Sequence, residues 1–363
     1  MKQLVGYIRS RYRLMWFYRG FFSVSRLMKS LVSMAFTGKA PFPLTVDMLI
    51  TGRCNYSCAM CSWRGGRDDL SGELTLEDID KFILQIKRYR PVVHIGGGEP
   101  FIRKDLPDII SIIKRNGLKC LVTTNGAWMD DGVVDRIVDL KVDVLIFSIY
   151  GWGDFHDEMT GVKGSFERTV ANMRSVLKKR SKGTKVFVST LPLSAGLDEL
   201  GRVVENARLL GVDGVKIEQL NFMVRAEYDR PHYKEGQIVL EPYTLVRDSS
   251  FGRGFVSRLS DVYKDISKTY GGFVIIKPYL SGKQLSEWYA LSPSPGSGCF
   301  FLGHSAVINY NGDIIPCQFF PGCVLGNIKK DRLKDVWHSK AYKECREAVN
   351  REKPIVCERC CKK

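Results

Sequence analysis

Between residues 42 and 221 the chain alternates short β-rich runs with amphipathic stretches, and this alternation constrains its fold more than any other feature. The runs Thr45–Ile50, Val92–Ile95, Leu121–Thr124, Val144–Ile149, Val186–Ser189 and Gly214–Ile217 read as strands, because apolar and β-branched residues dominate them. Between them, apolar residues recur at helical spacing. Ile79, Phe82, Ile83 and Ile86 follow a capping Thr75 with Asp78 at the capping-box position. Leu106, Ile109, Ile110 and Ile113 mark the next helix, Phe166, Val170, Met173 and Leu177 another, and Leu200, Val203, Ala207 and Leu210 the last, with a further helical stretch near 130–140. Strands joined by helices form parallel sheets with right-handed crossovers. The chemically distinctive loops follow the first, second and fourth strands, and residues at the carboxyl ends of barrel strands converge on one place. The expected fold class is therefore α/β, a partial (β/α)6 TIM-type barrel over 42–221 rather than a doubly wound sheet.

Residues 222–298 are less regular and read as a connecting region that ends in the turn-rich run 292–298. Residues 299–363 read as a small α+β domain. Ala306–Asn309 and Asp313–Pro316 flank Tyr310-Asn311-Gly312 as a hairpin, and a helix over about 331–349 precedes Cys357-Glu358-Arg359-Cys360-Cys361.

Residues 1–41 form a basic segment. Lys2, Arg9, Arg11, Arg13, Arg19, Arg26, Lys29 and Lys39 meet no acid there, which places half of the net +16 charge in this short stretch. Cations interrupt every apolar run well short of the ~20 residues a membrane span requires, and the early arginines do not fit a signal peptide. Over 24–36, Val24, Leu27, Leu31 and Ala35 share one helical face, with Arg26, Lys29, Ser30 and Ser33 opposite. A basic amphipathic helix of this kind suits an anionic membrane surface or a lipid substrate. Packing on its own domain ranks second, and nucleic acid is disfavoured.

The eleven cysteines cluster near residue 58 and after 298, which reads as metal binding in a reducing cytoplasm rather than a disulfide scaffold. Cys54, Cys58 and Cys61 follow the first strand, and spacings of four and three let a loop wrap one face of an inorganic cluster. Three thiolates leave one iron with an open coordination position, and an open position means chemistry.

This loop resembles the signature of the radical S-adenosylmethionine (SAM) enzymes, with Met60 standing where the family often has an aromatic residue. The resemblance implies a [4Fe–4S] cluster on Cys54, Cys58 and Cys61 whose fourth iron chelates the amine and carboxylate of SAM. Gly97-Gly98-Glu99-Pro100, after the second strand, resembles the motif that receives the SAM amino group. Glycines let a backbone approach a ligand closely, and a carboxylate pairs with an ammonium. Asn125, after strand three, and Ser148, after strand four, sit where relatives contact the cofactor's ribose or carboxylate. The bland alternatives are a turn residue beside Gly126 and an ordinary strand-end serine. Tyr150 stands where many relatives have aspartate.

The terminal region resembles the auxiliary-cluster domains called SPASM or, in shorter form, Twitch. Gly312 and Cys317 are spaced as in that pattern, and Leu325-Gly326-Asn327-Ile328 and Trp337 agree. Cys299, Cys317, Cys357 and Cys360 are the implied ligands of one auxiliary [4Fe–4S] cluster, with structural zinc as the alternative. Cys120 reads as core, Cys323 and Cys361 as substitute ligands, and His304 and His338 as packed or surface residues.

The resemblance implies an enzyme that cleaves SAM reductively to a 5′-deoxyadenosyl radical and takes a hydrogen atom from a substrate C–H bond. It also implies a low-potential electron donor such as a ferredoxin or flavodoxin, and an auxiliary cluster that carries an electron. The basic N-terminus points to a lipid or isoprenoid-linked substrate and to a cytoplasmic enzyme peripheral to the membrane. A peptide maturase and a small-metabolite dehydrogenase are the alternatives, and an iron–sulfur or zinc RNA-binding protein is the non-enzyme reading.

Overall fold

The computed structural model describes residues 24–62, 72–193, 196–280, 282–290 and 299–362. The first 23 residues of the basic segment and the turn-rich run 292–298 lie outside the described residues. Helix α1 (Val24–Thr37) precedes the barrel strand β1 (Thr45–Leu49). Five βα steps follow: α2 (Leu76–Ile86), β2 (Val92–Gly96), α3 (Leu106–Arg115), β3 (Lys119–Thr124), α4 (Asp131–Asp139), β4 (Val144–Ser148), α5 (Asp154–Thr160), α6 (Ser165–Lys179), β5 (Lys185–Thr190), α7 (Leu197–Leu209) and β6 (Gly214–Glu218). All six strands pair in parallel, in sequence order. Thr75 caps α2 as its sequence predicts, exchanging hydrogen bonds with Asp78, a box worth about 1 kcal/mol.

The connecting region, unassigned from sequence, has regular structure. It contains β7 (Phe222–Val224), α8 (Arg225–Tyr228), β8 (Lys234–Glu235), β9 (Ile238–Val239), β10 (Leu245–Arg247), α9 (Arg253–Tyr270), β11 (Val274–Lys277) and α10 (Lys283–Tyr289). β11 adds a seventh parallel strand beside β6, so the sheet continues past residue 221. The terminal domain holds α11 (Phe301–His304), β12 (Ser305–Ile308), β13 (Asp313–Ile315), β14 (Gly326–Asn327), α12 (Leu333–His338), α13 (Lys340–Glu352) and α14 (Ile355–Glu358). β12 lies parallel against β1 and β13 returns antiparallel, so the expected hairpin extends the barrel sheet at its other edge. Ser339 splits the expected 331–349 helix in two, its hydroxyl accepting from Tyr342 N to start α13.

Strand register separates two layers inside the barrel. Val92, Leu121, Val144, Ile146 and Phe187, with Ile275 against them, form a small apolar floor of their own. The next inward positions towards the carboxyl ends are polar: Asp47, His94, Thr123, Ser148, Ser189, Glu218 and Lys277, with Lys216 beside Ser189. The other face of the sheet packs against the helices in one continuous core.

Among the described side chains of α1, Ser30 and Met34 are buried, Met34 lying with Ala40 against Phe300. This corrects the placement of Ser30 on the polar face. A close approach decides it: a Cβ on Gly303 would lie 3.2 Å from the Met34 methyl. No helix among the described residues is long and apolar enough to cross a membrane.

Candidate active site

The cysteine loop leaves β1 and docks on the end of α5, with Ser57 N donating to Thr160 O at 3.1 Å and Ala59 N to Met159 O at 2.9 Å. Cys61 N donates to Cys58 O at 3.1 Å and closes a turn that brings the last two thiols together. All three cysteines are half-buried, and none is in a disulfide. Burial pushes the Cys54 thiol up to about 11, with Glu99 and Cys61 adding to the shift. Burial, then the Cys61 and Cys54 charges, pushes Cys58 up to about 12. Thiols as dry as Cys54 and Cys58 resist ionisation until a cation neutralises them, which fits a donor set built for iron. Among the described residues no group of three or more His, Cys, Asp or Glu is placed to hold a single metal ion.

The Gly97-Gly98-Glu99 turn runs against this loop. Gly98 N donates to Thr51 O at 2.9 Å, and Glu99 N to Arg53 O at 2.8 Å. Gly97 has φ of +125°, and a Cβ there would lie 2.4 Å from Thr51 O. A Cβ on Gly98 would lie 1.9 Å from Arg53 O. Both glycines are therefore dictated by backbone contact, which leaves the loop surface open for a ligand.

Glu99 is almost fully buried. Its Oε1 accepts from Phe101 N at 3.0 Å and Thr124 Oγ1 at 2.7 Å, and its Oε2 from Asn125 N at 2.6 Å. Burial still outweighs these donors and raises its pKa to about 7. A carboxyl poised this way gains strongly from an incoming ammonium, which restores its charge. The Asn125 side chain donates to Asn55 Oδ1 at 2.8 Å, so the third loop is tied to the cysteine loop and is more than a turn. Ser148, ending β4, shares a side-chain hydrogen bond with Tyr150, which feels the charges of Cys58, Cys61 and Glu218. Burial, then Cys58, pushes the Tyr150 hydroxyl up, so it faces the site as a neutral donor.

The polar ring is the part that sequence reading misses. His94 Nδ1 lies 3.1 Å from Asp47 Oδ1, and its Nε2 lies 2.9 Å from Thr123 Oγ1. Lys362 Nζ reaches Asp47 Oδ2 at 3.3 Å and lies over the Phe301 ring. Glu218 pairs with Lys216 at 3.0 Å and accepts from Ser189 Oγ at 3.3 Å. Burial opposes its charge, but Lys216 and Lys277 together hold its pKa at about 2. The sequence signal is a lone polar or charged residue in an otherwise apolar strand, doubled only on β6, where Lys216 and Glu218 stand two apart.

At the far side of the ring, Cys317 is buried, and its thiol is pushed up by burial and then by Cys299 and Cys360. Cys357 is half-buried on α14, three residues before Cys360. Cys361 joins them, its thiol raised by burial, Glu218 and Cys360. Cys323 and Cys345 instead face each other with sulfurs 3.9 Å apart. His338 hydrogen-bonds to Pro41 O and His304 to Ser305, as packed residues do.

A Radical SAM superfamily model matches residues 48–205, and a SPASM iron–sulfur cluster-binding domain model matches 299–361. The AdoMet-dependent heme synthase of Methanosarcina barkeri is 24% identical, over 82% of each chain. The pre-heme d1 synthase of Dinoroseobacter shibae is 24% identical over 82% of this chain and 73% of its own length. The PqqA peptide cyclase of Methylocella silvestris is 23% identical over 79% of this chain and 72% of its own. The crystal structure of Streptococcus suis SuiB shares the fold, with a TM-score of 0.64 at 18% identity over 88% of this chain and 71% of that one. Both motif groups thus lie inside the matched segments, and the chain belongs to the Radical SAM superfamily as an enzyme with a C-terminal SPASM domain, with [4Fe–4S] clusters and SAM as its cofactors.

Proposed function

We propose that the protein carries out an oxidative conversion of a polar substrate, a small metabolite or a peptide, held in the barrel between the two groups of cysteines. The observation that carries this is continuity. Tyr150 feels both Cys58 and Glu218, and Cys361 feels both Glu218 and Cys360, so one polar ring touches both groups. Cys54, Cys58 and Cys61 would hold one cluster, Glu99 the amino group of SAM, and Cys299, Cys317, Cys357 and Cys360 the second cluster. When bound, these groups supply a 5′-deoxyadenosyl radical at one end and an electron acceptor at the other. The chain's share is to hold the substrate over the apolar floor and keep water away from it. The heme synthases and the peptide cyclase among the relatives support a soluble substrate over the lipid expected from the N-terminus. Anaerobically reconstituted protein is expected to hold about eight irons, from two four-iron clusters, and to release 5′-deoxyadenosine on reduction. A content of about four removes the electron-accepting role.

A second reading concerns location. Met28, Val32 and Phe36 lie exposed along one side of α1, beside the exposed Lys29. That stripe, following so many cations, supports contact with an anionic membrane surface. Deleting residues 1–38 is expected to lower sedimentation with phosphatidylglycerol vesicles. Unchanged sedimentation would end this reading.

A further inference from the structure

We propose that Lys362 sets the reduction potential of the terminal cluster, raising it so that the cluster takes an electron from the substrate. This deepens the proposed function and rests on its assignment of Cys299, Cys317, Cys357 and Cys360 to that cluster. Lys362 follows Cys360 by two residues, and its backbone N–H donates to the Cys360 sulfur at 3.4 Å. Its side chain reaches the polar ring and is only 20% exposed. Nζ lies 3.3 Å from Asp47 Oδ2 on β1 and 4.4 Å from the centre of the Phe301 ring on α11. Phe301 itself follows Cys299 by two residues. The ammonium is thus pinned from two sides beside the terminal cysteines, and it feels Cys317, Cys361 and Cys360 as well as Asp47.

Reduction adds one negative charge to an iron–sulfur cluster, whose potential follows net charge, hydrogen bonds to sulfur and solvent exposure. Lys362 supplies a hydrogen bond to one sulfur and a positive charge with little water to screen it. Both favour the reduced form. Asp47 keeps the ammonium in place and cancels part of its field. Lys277 and Glu218 also act on Cys361, with opposite signs. The ordinary reading of Lys362 with Asp47 is a structural ion pair, yet such a pair gains little over apolar residues of the same volume. An apolar pair would place no field on the cysteines. The favoured step moves one electron from the substrate radical to the oxidised cluster. The radical becomes a closed-shell cation, which sheds a proton through the polar ring to water.

Potentiometric titration followed by electron paramagnetic resonance tests this in the reconstituted full chain with Cys54, Cys58 and Cys61 changed to alanine, where only the terminal cluster reports. On that background Lys362→Gln keeps the backbone N–H and the polar side chain and removes the charge. Reduction should become about tenfold less favourable or more, a drop of about 59 mV for one electron. Lys362→Arg should hold the potential near that of the parent. Asp47→Asn, which frees the ammonium of its counter-charge, should shift the potential upward. Opposite shifts from the two partners of one ion pair are the mark of a field, whereas lost packing would lower iron content in both. An unshifted potential in Lys362→Gln at unchanged iron content overturns the proposal, as does an equal drop in Lys362→Arg. If Lys362→Gln loads no iron, Asp47→Asn decides: a raised potential supports the proposal, and a lowered or unchanged one overturns it. Absence of iron from the triple-alanine parent would instead overturn the second cluster, and with it the proposed function, before any lysine variant is read.

Discussion

Replacing Cys58 with alanine is expected to abolish reductive SAM cleavage, with 5′-deoxyadenosine falling by on the order of a thousandfold or more. Loss of a partner that merely orients a metal ligand costs 10–100-fold, and loss of the ligand itself removes the centre. Cys58 is the middle thiol of the loop, and its carbonyl also closes the turn to Cys61. Alanine keeps that backbone bond, so the loop retains its shape and only the sulfur is lost. Two thiols then remain where one open iron requires three, and iron content should fall from about eight to about four. Cys120→Ala provides the control, because Cys120 is buried in β3 and raised by desolvation far from this loop. The control should keep its iron and its cleavage, and lose only the roughly 1–2 kcal/mol of a small cavity. Cleavage retained by Cys58→Ala would remove the loop from the chemistry.

What the sequence makes legible depends on how a signal is spaced. The barrel strands stand out because each is bounded by helical periodicity on both sides. Strand β11 does not, because four residues at the end of an irregular region carry no period, and the open edge of β6 recruits them. The motif around Glu99 is visible as letters, yet its reason lies in the main-chain contacts to Thr51 and Arg53. Asp47, His94, Lys216 and Glu218 each look like an imperfection in a strand. Only the register shows that they share one face. On α1 the helical spacing places Ser30 on the polar face, whereas the fold buries it on the side where Met34 meets the terminal domain. Tyr150 stands out in sequence only as a departure from the family, whereas in the fold its neighbours are Ser148 and the cysteines.

Glu227→Ala is expected to lower stability by about 3–5 kcal/mol, the cost of leaving a buried charge unpaired. Arg359 is fully buried, and its guanidinium meets Glu227 through two hydrogen bonds, at 2.6 and 3.2 Å. Its Nε donates to Trp288 O at 2.6 Å, and the guanidinium also lies over the Phe222 ring. Arg359 lies between Cys357 and Cys360, so this pair pins the terminal Cys-x-x-Cys to α8 and β7 of the connecting region. Removing the carboxylate therefore acts on the second group of cysteines more than on the first. The melting temperature should drop by several degrees, and iron should fall towards about four as the auxiliary centre is lost. The Glu227 carboxylate bonds to Arg359 and to Val224 N, within the connecting region and the terminal domain, so reductive SAM cleavage should survive below the melt. Replacing both partners, Glu227→Leu with Arg359→Met, should recover most of the stability, because an apolar pair fills the space without a buried charge. It should not recover ordinary iron loading if Arg359 also sets the spacing of Cys357 and Cys360. Iron loading of the double variant thus separates a structural ion pair from one that positions a cluster.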